Sequence, residues 1–409
     1  MRVLLVNCVY AIGSTGKIVK DIASGLHQSG VEVAIAYGRG TAIDEEWHVE
    51  KLASDNVIKA QSLCSKLTGL SYGCSLLSTC KLFRVIESYM PDVVNLHCIN
   101  ANTVNFVGTI EYLKKHHIKT VLSIHAEFPY TGGCGHAYDC MQWENGCKQC
   151  PQFHKPDSQL PVSWFFNKVA HNWKQLEKAY QGFEELVITC VSPWLACRAE
   201  QSPFFNGRKI IPVINGLDDS IFKPREASKL REKHQLEGKK VLLHVTPNFY
   251  SSIKGGKYVL EIAHRLEKEH SEFTVIICGY KGDGKDLPSN VIPVAFTKDQ
   301  IELAEYYSLA DVTLLTSKRE TFSMVTAETL CCGTPMVAFK AGGPESIALK
   351  EGAIFCDYGD VDALYKNVVD VLTGNTKIEF DTNSARNIYS KSAMKDAYKK
   401  VYEDLINNR

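Results

Sequence analysis

The sequence predicts two doubly wound α/β domains in tandem, and two observations carry that expectation. Short β-branched runs alternate with stretches of i, i+3/i+4 apolar spacing along the whole chain. The runs are also continuously apolar, as strands buried on both faces of a parallel sheet are. "RVLLVN", "VEVAIAY", "VVNLH", "TVLSIH", "LVITCVS" and "IIPVIN" form a first series. "VLLHVT", "FTVIICG", "VIPVAF", "DVTLLT", "TPMVAF" and "AIFC" form a second. Between them, "NGLDDSIFKPREASKLREKHQLEGKK" has the Asn-Gly, Pro and polar charge of a linker. The expected domains are residues 1–217 and 218–390, each Rossmann-like, with a central cleft between strand C-termini as the place for a ligand. A terminal helix within 391–409 carries aromatic positions at helical spacing, and the sequence leaves it to pack on either domain, including back on the first.

Composition sets the outer bounds. The 409 residues are too many for one ordinary core. With 45% hydrophobic and 22% charged residues the chain has an ordinary globular composition. Lys+Arg and Asp+Glu are 46 each, so no global field favours nucleic acid or an anionic membrane. No apolar run approaches the ~20 residues of a membrane span. The start does not resemble a cleavable signal, and 15 cysteines without one imply free thiols in a reducing compartment. The expected setting is the cytoplasm.

The first strand runs into "YAIGSTGKIVKDIAS", a Gly- and Lys-containing turn of the kind that binds phosphate at a helix start. Two familiar motifs fail on counting. A P-loop needs glycine at 11 and a hydroxyl at 18, where Ala11 and Ile18 stand. The dinucleotide fingerprint meets Ala11, Gly13 and Gly16, and the next strand ends at Tyr37 without a ribose-binding acid. Gly13 and Gly16 either admit a ligand to the backbone or permit close helix–strand packing.

The most informative segment is "SKRETFSMVTAETLCCGTPMVAF". It places Glu320 in a loop after a strand and Glu328 about one turn inside the following helix, if that helix begins near Ser323 or Met324. Amides at 323–325 can then hold a diphosphate. Glu328 can accept from two ribose hydroxyls, and Glu320 from a sugar beyond the phosphate.

This arrangement resembles the donor motif "E-x-F-[GS]-x-x-x-x-E" of the retaining glycosyltransferases of family 4, which have the GT-B fold. Here it comprises Glu320, Phe322, Ser323 and Glu328, and "CCGTPMVA" follows. "VINGLDDSIFKP", "LAEYYSLADVTLLTS" and "CDYGDVDALYKNV" resemble further family elements in the expected order. The resemblance implies donor contacts from Thr321, Met324 and Val325 as well. It also implies a phosphate-binding lysine, matched by Lys254 before Gly255, while Asn248 stands nearest to the family's usual arginine. That variant, with a cysteine-rich insert, resembles the bacterial subgroup that builds colanic-acid-type and capsular polysaccharides. In the first domain it implies that His125 bonds the donor sugar near the reacting centre. Ala126 replaces the subgroup's aspartate, so an acceptor contact is either lost or moved to Glu127, and His97 is a second acceptor candidate or a strand-end histidine with no role. "GSTGK" resembles the loop that faces the cleft, with Gly13 and Gly16 toward the donor phosphate or the acceptor. Lys17 adds charge there or is a surface lysine.

Taken together, the resemblance implies an enzyme that moves a sugar from a UDP- or GDP-sugar to a glycan or lipid-linked glycan acceptor at the inner face of the membrane. His125, Glu320 and Lys254 are the catalytic candidates, and no catalytic metal is expected. A nucleotide-sugar 2-epimerase of the same fold and a non-catalytic nucleotide-sugar-binding subunit are the rivals. Asp360-Val361-Asp362 reads as a helix N-cap with first-turn acids, not as a metal motif. Cys134, Cys140, Cys147 and Cys150 lie within 17 residues, as a structural zinc site or as free thiols or an oxidised pair. "PVSWFFNKVAHNWKQ" is either an aromatic helix face packed in the first domain, which is the expectation, or a segment at a membrane surface.

Overall fold

The computed structural model describes residues 1–407 apart from Ile43, Asp44, Tyr72 and Ala101. The chain forms two compact units: Met1–Gly216 with the chain from Lys391 onward, and Leu217–Ser390.

The first unit is built on seven strands: β1 (Arg2–Tyr10), β2 (Glu32–Gly40), β3 (His48–Lys51), β4 (Val93–Leu96), β5 (Thr120–Ile124), β6 (Leu186–Cys190) and β7 (Ile210–Pro212). They pair in parallel in the order β3-β2-β1-β4-β5-β6-β7. The second unit has β8 (Lys240–Val245), β9 (Phe273–Cys278), β10 (Val291–Val294), β11 (Val312–Leu315), β12 (Met336–Phe339) and β13 (Ala353–Cys356), parallel in the order β10-β9-β8-β11-β12-β13. The two orders are the same up to the extra β7. In each, the order reverses beside the unit's first strand, and the loops leaving the two strands at the reversal diverge to leave a crevice, the usual ligand position in such sheets. That point lies between β1 and β4 in one unit and between β8 and β11 in the other.

The strand β3, "HVEK", was not expected. It is a half-exposed edge strand with one apolar residue, so it shows no apolar run. The terminal helix Lys391–Ile406 joins the first unit. Met394, Tyr398, Val401 and Tyr402 enter the core around the helix Gly13–Gln28. Each such side chain contributes about 2 kcal/mol when fully buried. Asn95 Nδ2 donates to the Tyr402 hydroxyl at 2.6 Å, and Lys119 Nζ to the Ile406 carbonyl at 2.7 Å, closing the helix onto β4 and the start of β5.

The aromatic segment departs from expectation. Helix Val169–Tyr180 starts only after it, and Trp164, Phe165 and Phe166 lie in a loop, exposed by 48%, 65% and 51%. Pro161 and the Ser163 hydroxyl, which binds the Phe166 amide and carbonyl, hold this stretch out of the helix.

In the second unit the loops after β8 and β11 are stitched together. Lys318 donates its amide to the Ile253 carbonyl at 2.7 Å, and the Thr316 hydroxyl to the Lys254 carbonyl at 2.8 Å. Gly255 sits at φ +70, and a Cβ there would overlap the Thr316 carbonyl oxygen. Gly255→Ala is therefore expected to cost about 2–4 kcal/mol, by clash and left-handed strain together. Thermal unfolding should show the loss as a markedly lower midpoint for the second unit; an unchanged midpoint would mean the two loops can separate freely.

Candidate active site

At the reversal between β8 and β11, Lys254 Nζ meets Glu320 Oε1 at 2.6 Å. Both side chains are partly exposed, so the pair is held by geometry more than by attraction, which surface screening reduces to about 1 kcal/mol or less. The backbone sets that geometry. Glu320 pairs as a bridge with Gly342, its amide bonding the Ala341 carbonyl and its carbonyl accepting from Gly343. Glu345 in turn accepts from the amides of Ala341 and Gly342. Gly343 has no room for a Cβ against Thr321 and Phe322.

Helix Met324–Cys331 begins at the expected place, with Ser323 as N-cap accepting from the Thr326 amide at 3.2 Å. Ser323 has φ +87, a left-handed backbone costing a non-glycine residue on the order of 1–3 kcal/mol. The amides of Met324 and Val325 have no acceptor within the helix. Along this otherwise buried helix, Met324, Val325 and Glu328 are the partly exposed positions, and their i, i+1, i+4 spacing makes them one face. Tyr307, itself buried, donates its hydroxyl to Glu328 Oε2 at 2.8 Å and so orients that carboxylate. Thr321 is half-buried, while Phe322 is buried and anchors the loop. Asn248 is exposed in the turn Thr246–Ser251 of the loop that carries Lys254. Tyr307, Glu345, Gly342 and Gly343 escaped the reading of the sequence. "AGGPES" was the available signal, a glycine pair one strand after the donor loop.

In the first unit, β4 and β5 deliver His97 and His125 side by side, Nδ1 to Nε2 at 3.1 Å. His97 is 1% exposed, its amide bonded to the Val6 carbonyl, and its Nε2 is buried without a hydrogen-bond partner. A direct acceptor contact by His97 does not fit that burial; the residue backs His125 instead. Burial lowers the pKa of His125 to about 4 and pulls that of His97 well below its usual value, with the neighbouring imidazole adding to the effect on His97.

Glu127 is the second correction among the acceptor candidates. Its carboxylate is fully buried, taking Arg198 Nε at 2.7 Å, the Ala137 amide at 2.7 Å and the Tyr130 hydroxyl at 3.0 Å. It is the anchor of the long loop after β5. After β1, Gly16 is in tight contact with Val9, Tyr10 and Ala11, which is the packing role, while Gly13 stands exposed at φ +63 with open space around it. Lys17 is exposed in the first turn.

The four cysteines of the insert lie near one another in the loop after β5. All fifteen cysteines are free thiols, and among the described residues no group of three or more His, Cys, Asp or Glu side chains is placed to hold a metal ion. Burial pushes the Cys134 thiol up and that of Cys147 up to about 12, with the neighbouring cysteines adding to both. The loop is pinned without them, by Glu127 and by Trp143, whose indole donates to the Cys140 carbonyl and whose own carbonyl accepts from Trp173. Asp360 caps helix Val361–Leu372 through the Ala363 amide, and Asp362 pairs with Arg265.

Residues 239–374, most of the second unit, match the family model "Glycosyl transferases group 1". The chain is 21% identical to the putative colanic acid biosynthesis glycosyl transferase WcaC of Escherichia coli (strain K12), over 99% of this chain and 100% of that one. It is 26% identical to N-acetyl-alpha-D-glucosaminyl L-malate synthase of Bacillus anthracis, over 46% of this chain and 50% of that one, about half its length. The crystal structure of Anabaena Alr3699/HepE in complex with UDP superimposes with a TM-score of 0.66 at 15% identity, over 99% of this chain and 100% of that one. Two parallel sheets with this strand order and this likeness define a chain of the GT-B fold. The family model over the second unit and these relatives support a glycosyltransferase of family 4, the family its donor motif resembles.

The histidines give a test of the first unit. Unfolded histidine takes up a proton below about pH 6.5, whereas folded His125 stays neutral to about pH 4 and His97 to well below its usual value, so stability falls as pH drops below about 6.5. His97→Gln removes one such group and should make the fall shallower by up to about 1.4 kcal/mol per pH unit. Denaturant unfolding at steps between pH 7.5 and 4.5 reads the slope; a slope equal to that of the parent would mean His97 is not held neutral.

Proposed function

We propose that the chain is a retaining glycosyltransferase, moving a sugar from a UDP- or GDP-sugar to a glycan acceptor in the assembly of a cell-surface polysaccharide. The observation that carries this reading is the Lys254–Glu320 pair at the strand-order reversal, beside a helix start that presents Met324, Val325 and Glu328. In this reading the donor diphosphate takes Lys254 and the first-turn amides, and Lys254 lets go of Glu320. Glu320 then accepts from hydroxyls of the donor sugar, and Glu328, steadied by Tyr307, accepts from the ribose. His125, backed by His97 in the first unit, is the further candidate for contact with a sugar hydroxyl.

Front-face attack is the simplest route to retention. The bond from the anomeric carbon to the phosphate oxygen breaks, that carbon bonds the acceptor oxygen on the same face, and the acceptor proton passes to the departing phosphate. Lys254 and the amides stabilise the charge that develops there, so the reading asks for no catalytic metal. Support comes from the names of the relatives and from the UDP bound to Alr3699/HepE.

Calorimetry and thermal shift with UDP, GDP, ADP and dTDP, with and without EDTA, test the donor. One nucleotide at 100 times its dissociation constant should stabilise by about 2.7 kcal/mol, with no effect of EDTA. Glu328→Gln should weaken free nucleotide about tenfold, by about 1.4 kcal/mol. Glu320→Gln should bind free nucleotide as tightly as the parent or more so, because the diphosphate no longer competes for Lys254, while turnover drops by about 100-fold. If no nucleotide binds, or if Glu320→Gln loses nucleotide and Glu328→Gln does not, the donor assignment fails.

A further inference from the structure

We propose that the first unit docks on an anionic lipid bilayer through Trp164, Phe165 and Phe166, together with the face of helix Asp55–Thr68 that carries Leu63, Lys66 and Leu67. Three consecutive aromatics stand exposed, where burial in the core was available to other aromatics of the same loop, such as Trp143 and Tyr130. They are fixed in place. The Trp164 amide bonds the Lys66 carbonyl at 2.8 Å, and Gly69, at φ +71, lies so close that a Cβ would meet the Phe166 carbonyl oxygen at 2.5 Å. Two lysines attend the rings: Lys66 Nζ lies 6.0 Å from the Trp164 centroid and Lys168 Nζ 5.8 Å from that of Phe166. Leu63 and Leu67 are exposed on the same helical face as Lys66.

The two segments that meet here carry cations between flanking acids, Asp55 and Glu87 for one and Asp157 and Glu177 for the other. Residues 56–86 contain Lys59, Lys66, Lys81 and Arg84 and no acid; residues 158–176 contain Lys168 and Lys174 and no acid. Aromatic rings that partition to the headgroup layer, with lysines whose stems follow them and whose ammonium groups meet anionic headgroups, are what an interfacial contact requires. A two-fold contact with a second copy would instead set Lys66 and Lys168 against their like.

Beside the aromatics is a polar cavity of about 390 Å³, lined by Ser62, Ser65, Lys66, Asn100, Asn102 and Gln159 among others. Asn100 and Asn102 follow β4, at the strand-order reversal of this unit, and the Asn102 side-chain oxygen is buried without a partner. Lys66 thus serves both surfaces. On the proposed transferase reading, on which this step alone rests, the cavity receives the polar head of an acceptor anchored in the same bilayer.

The experiment is co-sedimentation of the full chain with phosphatidylglycerol/phosphatidylcholine vesicles and with phosphatidylcholine alone, at low and high salt, with thermal unfolding and nucleotide shift as controls. The parent should bind the anionic vesicles at least about tenfold better than the neutral ones, and less well at high salt. Trp164→Ser/Phe165→Ser/Phe166→Ser should lose about tenfold or more on both vesicles. Lys66→Glu/Lys168→Glu should lose only the preference for anionic lipid. The proposal is overturned if the parent does not sediment with anionic vesicles, or if the triple variant, folded by its unfolding transition, binds as the parent does. It is also overturned if the parent is a dimer in solution that the triple variant converts to a monomer, which would give the surface to a second copy. Vesicle binding without any nucleotide shift in the parent would sink the transferase reading and leave the docking surface standing.

Discussion

In the second unit the backbone carbonyl of Thr316 occupies the space where residue 255 would carry a Cβ. That contact makes residue 255 a glycine, and it brings the loop after β8 down onto the loop after β11. With the loops joined by the Lys318 amide and the Thr316 hydroxyl, Lys254 can reach only a small region, and Glu320 is in it. A second close approach, Gly343 against Thr321 and Phe322, fixes the other side of the same loop. The site presents two charged side chains, and their placement is a matter of backbone against backbone. The left-handed Ser323 belongs to the same economy: its strain is tolerated because loop and helix on either side of it are already fixed.

The first unit repeats the strand order without repeating the device. Its helix Gly13–Gln28 starts at Ile12 with no side-chain cap, and Gly16 is used for packing. What stands at its reversal is imidazole in place of an ammonium–carboxylate pair. Two buried histidines within 3.1 Å of one another cannot both be charged, and burial keeps them neutral. A neutral pair can donate and accept hydrogen bonds toward hydroxyls without attracting a counter-ion, as suits a sugar more than a phosphate. The two units thus share an architecture and differ in the groups that stand at its reversal.

Most of the fold was legible because parallel strands buried on both faces leave apolar runs that no periodic surface element imitates. The strand β3 left none, since an edge strand buries only part of itself. The candidate site was legible through spacing: an acid, a helix start and a second acid eight residues on compress into one short segment. Its supports were not. Tyr307 comes from the helix before β11 and Glu345 from the helix after β12, and only the folded backbone brings them to Glu328 and Gly342. Glu127 misled for a related reason. A carboxylate just past a strand end looks available, and nothing near it in sequence announces that Arg198, 71 residues away, has claimed it.

Net charge says little about any one face. Equal counts of 46 cations and 46 anions suggest a surface without preference, but a dissolved ion or a headgroup responds to charges within about a Debye length, roughly 10 Å at 0.1 M salt, and not to a sum over the molecule. Two stretches remote in sequence, 56–86 and 158–176, carry no acid, and the fold lays parts of them together through the Trp164 amide and the Lys66 carbonyl. Either stretch alone is unremarkable in composition. Joined, they set lysines over exposed aromatic rings, where the apolar face and the positive field act on the same partner. The charge balance of a chain limits what the whole molecule can attract at long range; what one face attracts is decided by which segments the fold makes neighbours.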